Sequence, residues 1–444
     1  MTVSDRPEDP VLWRAVAETL TRVVQPALPA GGGYDSARQL AGLARYALTR
    51  PPDPGPTRVA ELAATLGLES DLPPAEVLRC AGQRSDDVRL LLRAYLEEDI
   101  AAAAPLLDTF SGHAVTDSEP EVVDVPESPS LAAWLAARLG APLDALEVAV
   151  MVGGHSRRML SLTVGVDGQR EHLVARIEQS GMLGTSGKPE ARLMQMLSAA
   201  GFPVARVRWI EPDDTVLGQP FFVMDHLPGT PAVDKRRLDD YIRSLADLHR
   251  LDLDRLDPAG MLAGLGPAPV TPQQGIVALI DHWLDVYRAS VELPIPLLED
   301  AAAWLRSALA PTGPTCIVHG DPGPGNFLHD GTRITGLTDW ELAHWGDPAE
   351  DWTYFGAIRA RKLHDVATWR ARFAAVADVH IDDHAWACWE AFNQFKGACV
   401  NLTALRLFRT GVITTPNLLA IGTAIHLRFL ARLTELVEEL RAVT

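Results

Sequence analysis

Residues 111–130, SGHAVTDSEPEVVDVPESPS, carry three prolines and five acids but no lysine or arginine. Like charges repel and proline interrupts regular pairing, so such a stretch stays extended and buries little. It reads as a linker, and the chain changes texture across it. Before it, VLWRAVAETLTRVV repeats apolar residues at intervals of three and four (Leu12, Val16, Leu20, Val23, Val24), the period of an amphipathic helix. Catalytic residue types do not concentrate there, and residues 1–110 are expected to form a small all-helical domain of unassigned role. After the linker and a helix at LAAWLAARLG, strands dominate at 146–152, 160–166, 172–178, 204–211 and 220–225. Asp167-Gly168 supplies a tight turn between the second and third strands. PEARLMQMLSAAG then reads as one helix, with Pro189 near its start and Gly201 at its stop. From residue 232 the pattern is mostly helical. The expected architecture is α+β and two-lobed: a strand-rich lobe over 131–228 and a helical lobe over 229–444, preceded by the all-α domain.

Bulk charge narrows the partners. The chain has 444 residues and a formal charge of −18, which argues against nucleic acid, whose binding relies on clustered Lys and Arg. Such acidity suits a cationic ligand, or simply an acidic protein without one. No apolar run approaches the roughly 18 residues of a membrane helix, so no membrane partner is expected. The start, MTVSDRPEDPVLW, lacks a basic region followed by an apolar core, and no signal peptide is expected. Cys80, Cys316, Cys388 and Cys399 are scattered, with no metal-type pairing, and a reducing cytoplasm is the expected location.

One stretch concentrates chemistry: VHGDPGPGNFLHDGTRITGLTDWE, residues 318–341. Asp321 follows a short apolar run, Pro-Gly-Pro-Gly turns the chain before Asn326, and a second short strand ends at Asp339. A strand–turn–strand layout brings the three to one side. Phosphoryl transfer uses such a set: one carboxylate orients the attacking hydroxyl and takes its proton, while an amide oxygen and a second carboxylate hold magnesium on the phosphates. The spacing is the known kinase pattern. Asn326 alone could be a turn residue and Asp339 alone a strand-end acid, but the ordered set is hard to dismiss. His319 is expected to brace the loop through a backbone carbonyl.

The rest of the chain offers the other parts of a nucleotide site. Gly153, Gly154 and Ser156 lie in a glycine-rich hairpin that can lay backbone N–H groups over phosphates. Arg176, mid-strand between Ala175 and Ile177, needs an anionic partner. Glu190, in the first turn of the next helix, is one candidate, and a solvated helix-start acid is the equal alternative. The backbone around Met224, Asp225 and His226 sits where an adenine edge would be read. Glu341 could face a second metal or a cationic substrate, and Asp347 and Asp351 are expected to cap and brace the helix that begins PAEDWTYF.

Residues from about 131 to 444 resemble the aminoglycoside phosphotransferase-type small-molecule kinases, a branch of the protein-kinase-like fold. VHGDPGPGN with LTDWELAHWGDPAEDW resembles their catalytic loop and metal segment, GFPVARVRWIEPDDTVLGQPFFVMDHLPGT their inter-lobe hinge, and SLADLHRLD their first helix after it. Hinge and DWE segment look most like the branch associated with acyl-CoA dehydrogenases and with phosphorylation of hydroxyacyl groups. The resemblance implies ATP and magnesium as cofactors and a small-molecule hydroxyl acceptor. It also implies Asp321 as base and Asn326 and Asp339 as metal ligands. It places Trp283, Tyr287, Trp386, Trp389 and Phe392 in acceptor-pocket helices, although core packing is the commoner role of such aromatics. Two departures stand out: Arg176 where a lysine is frequent, and Ser156-Arg157-Arg158 where Ser-Asn often follows the glycines. The alternative reading is a nucleotide-binding regulatory module, a pseudokinase acting through the helical domain. A protein kinase is disfavoured, because no activation segment of usual length follows DWE.

Overall fold

Alternation in the middle of the chain builds a single antiparallel sheet. The computed structural model describes residues 16–24, 27–28, 32–49, 55–69, 71–82, 86–107, 122–124, 129–151, 158–178, 187–252, 265, 268–412 and 416–443. Strands β1 (Val122–Asp124), β2 (Ala145–Met151), β3 (Arg158–Val166), β4 (Gln169–Ile177), β5 (Val207–Glu211) and β6 (Phe221–Asp225) pair in the order β1-β2-β3-β4-β6-β5. Asp167 and Gly168, both at positive φ (51° and 73°), make the β3–β4 turn as their residue types foretell. The first half of β4 is exposed and the second half, Leu173 to Ile177, is buried. Leu173, Ala175 and Ile177 face a core shared with Leu131 and Leu135 of the helix Pro129–Leu139. Val174, from the opposite face, joins Leu193, Met194 and Leu197 of helix α1 (Gly187–Ala199). With both faces covered, a charged residue at position 176 must find its partners inside the fold.

The site follows from four short strands after the sheet. β7 (Cys316–Val318) pairs with β10 (His344–Gly346), and β8 (Phe327–His329) pairs with β9 (Ile334–Leu337). Helix α2 (Leu238–His249) turns Leu238, Tyr241, Ile242 and Leu245 into the same core as Ile317 and Phe327. Leu337 N–H donates to the Pro203 carbonyl at 2.8 Å, tying β9 to the chain between α1 and β5.

The chain divides into two compact units: one comprises residues 1–114, 277–309 and 391–444, the other 115–276 and 310–390. The sheet, the hinge and the loop of 318–341 all belong to the second. The helices of 1–110, expected to stand alone, share their unit with two segments assigned by sequence to the helical lobe. Local contacts explain the grouping. Arg93 pairs with Glu438 at 2.9 Å, Ala103 and Leu106 pack with Ala420 and Ala424, and Leu297 packs on the cluster of Leu62, Val77 and Val88. The linker expected over 111–130 contains strand β1, a three-residue sheet-edge pairing in which Val122 and Val123 supply the β propensity. No helix among the described residues is long and apolar enough to cross a membrane.

Leu162, fully buried at the centre of β3, tests this packing. Leu162→Ala is expected to cost about 2–5 kcal/mol in denaturant unfolding. A change no larger than that of a surface substitution would contradict the assignment of the sheet core.

Candidate active site

Arg176 is the meeting point of the sheet, α1 and the DWE segment. Its Nη1 lies 2.8 Å from Glu190 Oε1, and its Nη2 lies 3.3 Å from Glu341 Oε2 and 3.5 Å from Asp339 Oδ1. Burial by itself would push the guanidinium down. Glu190, Asp339 and Glu341 outweigh that and hold it above its ordinary value. Of the three acids, Glu190 and Glu341 are buried and Asp339 is not: its side chain is 37% exposed. Glu190 therefore pairs with Arg176, and Glu341, which sequence left between a metal and a substrate, turns inward to the same arginine.

Asp339 has a left-handed backbone, φ 67° and ψ 60°, and opens the short 3₁₀ turn Trp340–Leu342. Asp is among the few residues that tolerate this region, and such strain persists where the surrounding structure demands it. Here it lets β9 end and the next turn begin within one residue, so that the Asp339 carboxylate stays in the open while Trp340 is buried.

The loop between β7 and β8 is held from several sides. Asn326 Nδ2 donates to the Asp321 carbonyl and to Asp321 Oδ2, both at 2.8 Å. Thr338 N–H donates to the Asn326 carbonyl at 3.0 Å, coupling the loop to the residue before Asp339. His319 donates from Nε2 to the Thr338 carbonyl at 3.0 Å, and its Nδ1 accepts from Asp321 N–H at 3.3 Å. Gly323 N–H donates to the Tyr241 hydroxyl at 3.0 Å. Gly320 has φ +83°, and a Cβ there would stand 2.3 Å from the Leu342 carbonyl oxygen, so only glycine fits.

Sequence spacing cast Asp347 and Asp351 together as helix braces, and the structure separates them. Asp347 caps helix α3 (Pro348–Thr353), accepting from Ala349 N–H at 2.9 Å. Asp351, inside that helix, is fully buried and accepts from His319 N–H (2.8 Å), Gly320 N–H (2.9 Å) and His249 Nε2 (2.9 Å). It anchors the loop between β7 and β8 instead of its own helix. Its position one helical turn past the cap puts it on the inward face, which spacing from Asp347 shows only once the helix direction is known.

Other expected residues are distributed unevenly. Met224 is buried in β6, with Asp225 and His226 following it. The N–H groups of Asp225 and His226 donate to the carbonyls of Arg206 (2.9 Å) and His172 (3.2 Å), so neither amide is available to a base. Gly153, Gly154, Ser156 and Arg157 lie outside the described residues. Trp283, Tyr287, Trp386, Trp389 and Phe392 are all buried core residues. Two contacts had no sequence signal: Arg359 Nε lies 3.5 Å from Asp321 Oδ1, and Tyr354 lies near enough to the same carboxylate for burial and that charge to push its phenol up.

An antiparallel sheet with one helix on the cleft side, a short hinge at β6 and an Asp–Asn–Asp loop set on helices is the protein-kinase-like arrangement. Residues 151–392, more than half the chain, match the phosphotransferase enzyme family, and the chain belongs to it. By that membership it is a small-molecule kinase. The chain is 29% identical over 243 residues to mouse acyl-CoA dehydrogenase family member 10, covering 48% of this chain and 22% of that protein. It is 30% identical over 178 residues to chicken acyl-CoA dehydrogenase family member 11, covering 37% of this chain and again 22% of the relative. The match thus spans about a fifth of each relative. A solved Ralstonia eutropha structure, of a protein assigned to the aminoglycoside phosphotransferases, superposes with TM-score 0.53 at 22% identity. It covers 70% of this chain and 98% of that one, a likeness of fold.

Asp351 gives the site a pH signature. Burial pushes its carboxyl up, but hydrogen bonding to His249 and the nearby histidine charge outweigh it and hold the group below its ordinary 3.8. A depressed folded-state value means a stabilising contribution that is complete above 3.8 and is lost as pH falls through the lower folded-state value. Asp351→Asn is expected to remove this acid-dependent loss from denaturant unfolding curves. Asp351→Ala should cost about 3–5 kcal/mol at neutral pH by leaving buried donors unpaired. An unchanged acid limb in Asp351→Asn would contradict the anchoring role.

Proposed function

We propose that this chain transfers the γ-phosphoryl group of ATP to a hydroxyl of a small molecule in a magnesium-dependent reaction. The observation that carries the reading is the convergence of Asp321, Asn326 and Asp339 with the Arg176–Glu190 pair in one unit. Asp321 would receive the acceptor's hydroxyl and its proton. Arg176, fixed by Glu190, would stand against the phosphates as a permanent cation. The backbone of Gly153, Gly154 and Ser156 would cover the phosphates, and the carbonyls at Met224 to His226 would face the adenine edge.

The donor set fits magnesium, which prefers hard oxygens and keeps several waters, so that two protein groups suffice. Asp339 offers an exposed carboxylate beside Glu190 and Glu341, all three gathered around the Arg176 guanidinium. Both Asn326 Nδ2 contacts are spent on Asp321, which leaves the amide oxygen for a cation. Bound there, magnesium would neutralise charge on the β- and γ-phosphates.

For the acceptor, Arg359 beside Asp321, followed by exposed Arg361 and Lys362, favours an anionic molecule over a polycation despite the overall negative charge. Hydroxyacyl thioesters meet that requirement, and the similarity to acyl-CoA dehydrogenase family members supports the same choice. Aminoglycoside-like compounds are the second class to try.

Calorimetry with a non-hydrolysable ATP analogue tests the reading. Wild type should bind in a magnesium-dependent way, and Asp339→Asn should weaken that binding by about 10- to 100-fold or more. Absence of binding by folded wild type would overturn it.

A further inference from the structure

Residues Tyr354–Arg359 form a π-helix directly after α3. In an α-helix, residues five apart point about 140° away from each other. The i→i+5 bonding of a π-helix brings them to one side, and such turns recur at functional sites. Here both ends reach the same group. Tyr354 lies close enough to the Asp321 carboxylate to feel its charge, and Arg359 Nε faces Asp321 Oδ1 at 3.5 Å. Arg359 Nη2 also donates to the Pro324 carbonyl at 3.1 Å. A Cβ on Gly323 would stand 2.4 Å from Arg359 Cβ, so the arginine stem lies directly on the loop.

We propose that Arg359, delivered by this π-helix, is a positioning residue that holds Asp321 in the orientation needed for transfer. The inference rests on Asp321 being the group that takes the acceptor's proton. Asn326 Nδ2 fixes Oδ2 at 2.8 Å, and Arg359 attracts Oδ1 from beyond ordinary hydrogen-bond length. Oδ1 is buried and has no hydrogen-bond partner among the described residues. The carboxylate is therefore held at both oxygens. Arginine stays protonated, so Arg359 steers Asp321 without exchanging a proton with it. During transfer the acceptor oxygen bonds to the γ-phosphorus, its proton passes to the Asp321 carboxylate, and the bond to the bridging oxygen breaks with its electron pair leaving on ADP. Arg359 remains a cation throughout.

The test uses the full chain with magnesium and ATP, water serving as acceptor, and reads phosphate release at saturating nucleotide. Nucleotide-analogue binding is measured in parallel. Arg359→Ala should lower kcat by about a hundredfold, the scale of a small misplacement of a catalytic group. KM and analogue binding should stay unchanged, and Arg359→Lys should recover part of the rate because it keeps the charge without the planar fork. Methylguanidinium added to Arg359→Ala should restore turnover. A wild-type rate in Arg359→Ala, with nucleotide still bound, would overturn the inference alone. So would a loss that comes with weakened nucleotide binding and that neither Lys nor methylguanidinium repairs, which would make the residue merely structural. Wild type that binds no nucleotide would overturn the functional reading and this inference with it.

Discussion

The contacts of Arg176 determine how the rest of the site can be arranged. A guanidinium buried between two covered sheet faces carries a large desolvation cost unless charges of opposite sign surround it. Glu190 from α1 and the acids of the DWE segment supply them, at 2.8 to 3.5 Å. One residue therefore fixes the relation between the sheet, the helix on its cleft side and the segment that presents Asp339. Removing it would strand buried carboxylates, so the network is a structural demand whatever part it takes in the proposed reaction. Arginine in place of lysine suits that double task, because its fork can meet several carboxylates at once.

A second buried charge plays the same part below the loop. Asp351 accepts from two consecutive loop amides and from His249, so the backbone at His319 and Gly320 cannot shift without exposing unpaired donors. The left-handed Gly320 and Asp339, the Tyr241 hydroxyl under Gly323 and the Asn326–Asp321 contacts complete the frame. The result is a loop whose polar backbone is spoken for and whose exposed functional atoms are few. Catalysis of phosphoryl transfer depends mainly on such positioning, since little covalent chemistry falls to the protein.

How much of this could be read from sequence depended on whether the determining contacts were local. The strands from Ala145 to Ile177 and their Asp167-Gly168 turn follow from alternation and turn chemistry, as does α1 from its proline and glycine limits. That Asp321 and Asn326 lie on one side of the loop was legible from their five-residue spacing, and their direct hydrogen bonds were not. Arg176 announced its need of an acid and Glu190 was in view as a candidate, but the added contacts with Asp339 and Glu341 were not visible, since they come from 163 or more positions away. Arg359 and Tyr354 gave no signal, because a π-turn has no distinctive residue pattern and α-helical periodicity would separate them. The grouping of residues 1–114 with 277–309 and 391–444 was equally hidden: each helix showed its apolar stripe, but no stripe names its partner.

Phosphoryl transfer to a small-molecule hydroxyl, with Asp321 at the reacting oxygen, can be followed at the phosphorus itself. Phosphorus NMR of the chain with magnesium, ATP and a panel of hydroxyacyl thioesters and aminoglycosides tests it most directly. A new phosphomonoester resonance matched by ADP is expected with wild type and is lost in Asp321→Asn. ADP without a phosphomonoester across the panel, or the same product from Asp321→Asn, would contradict it.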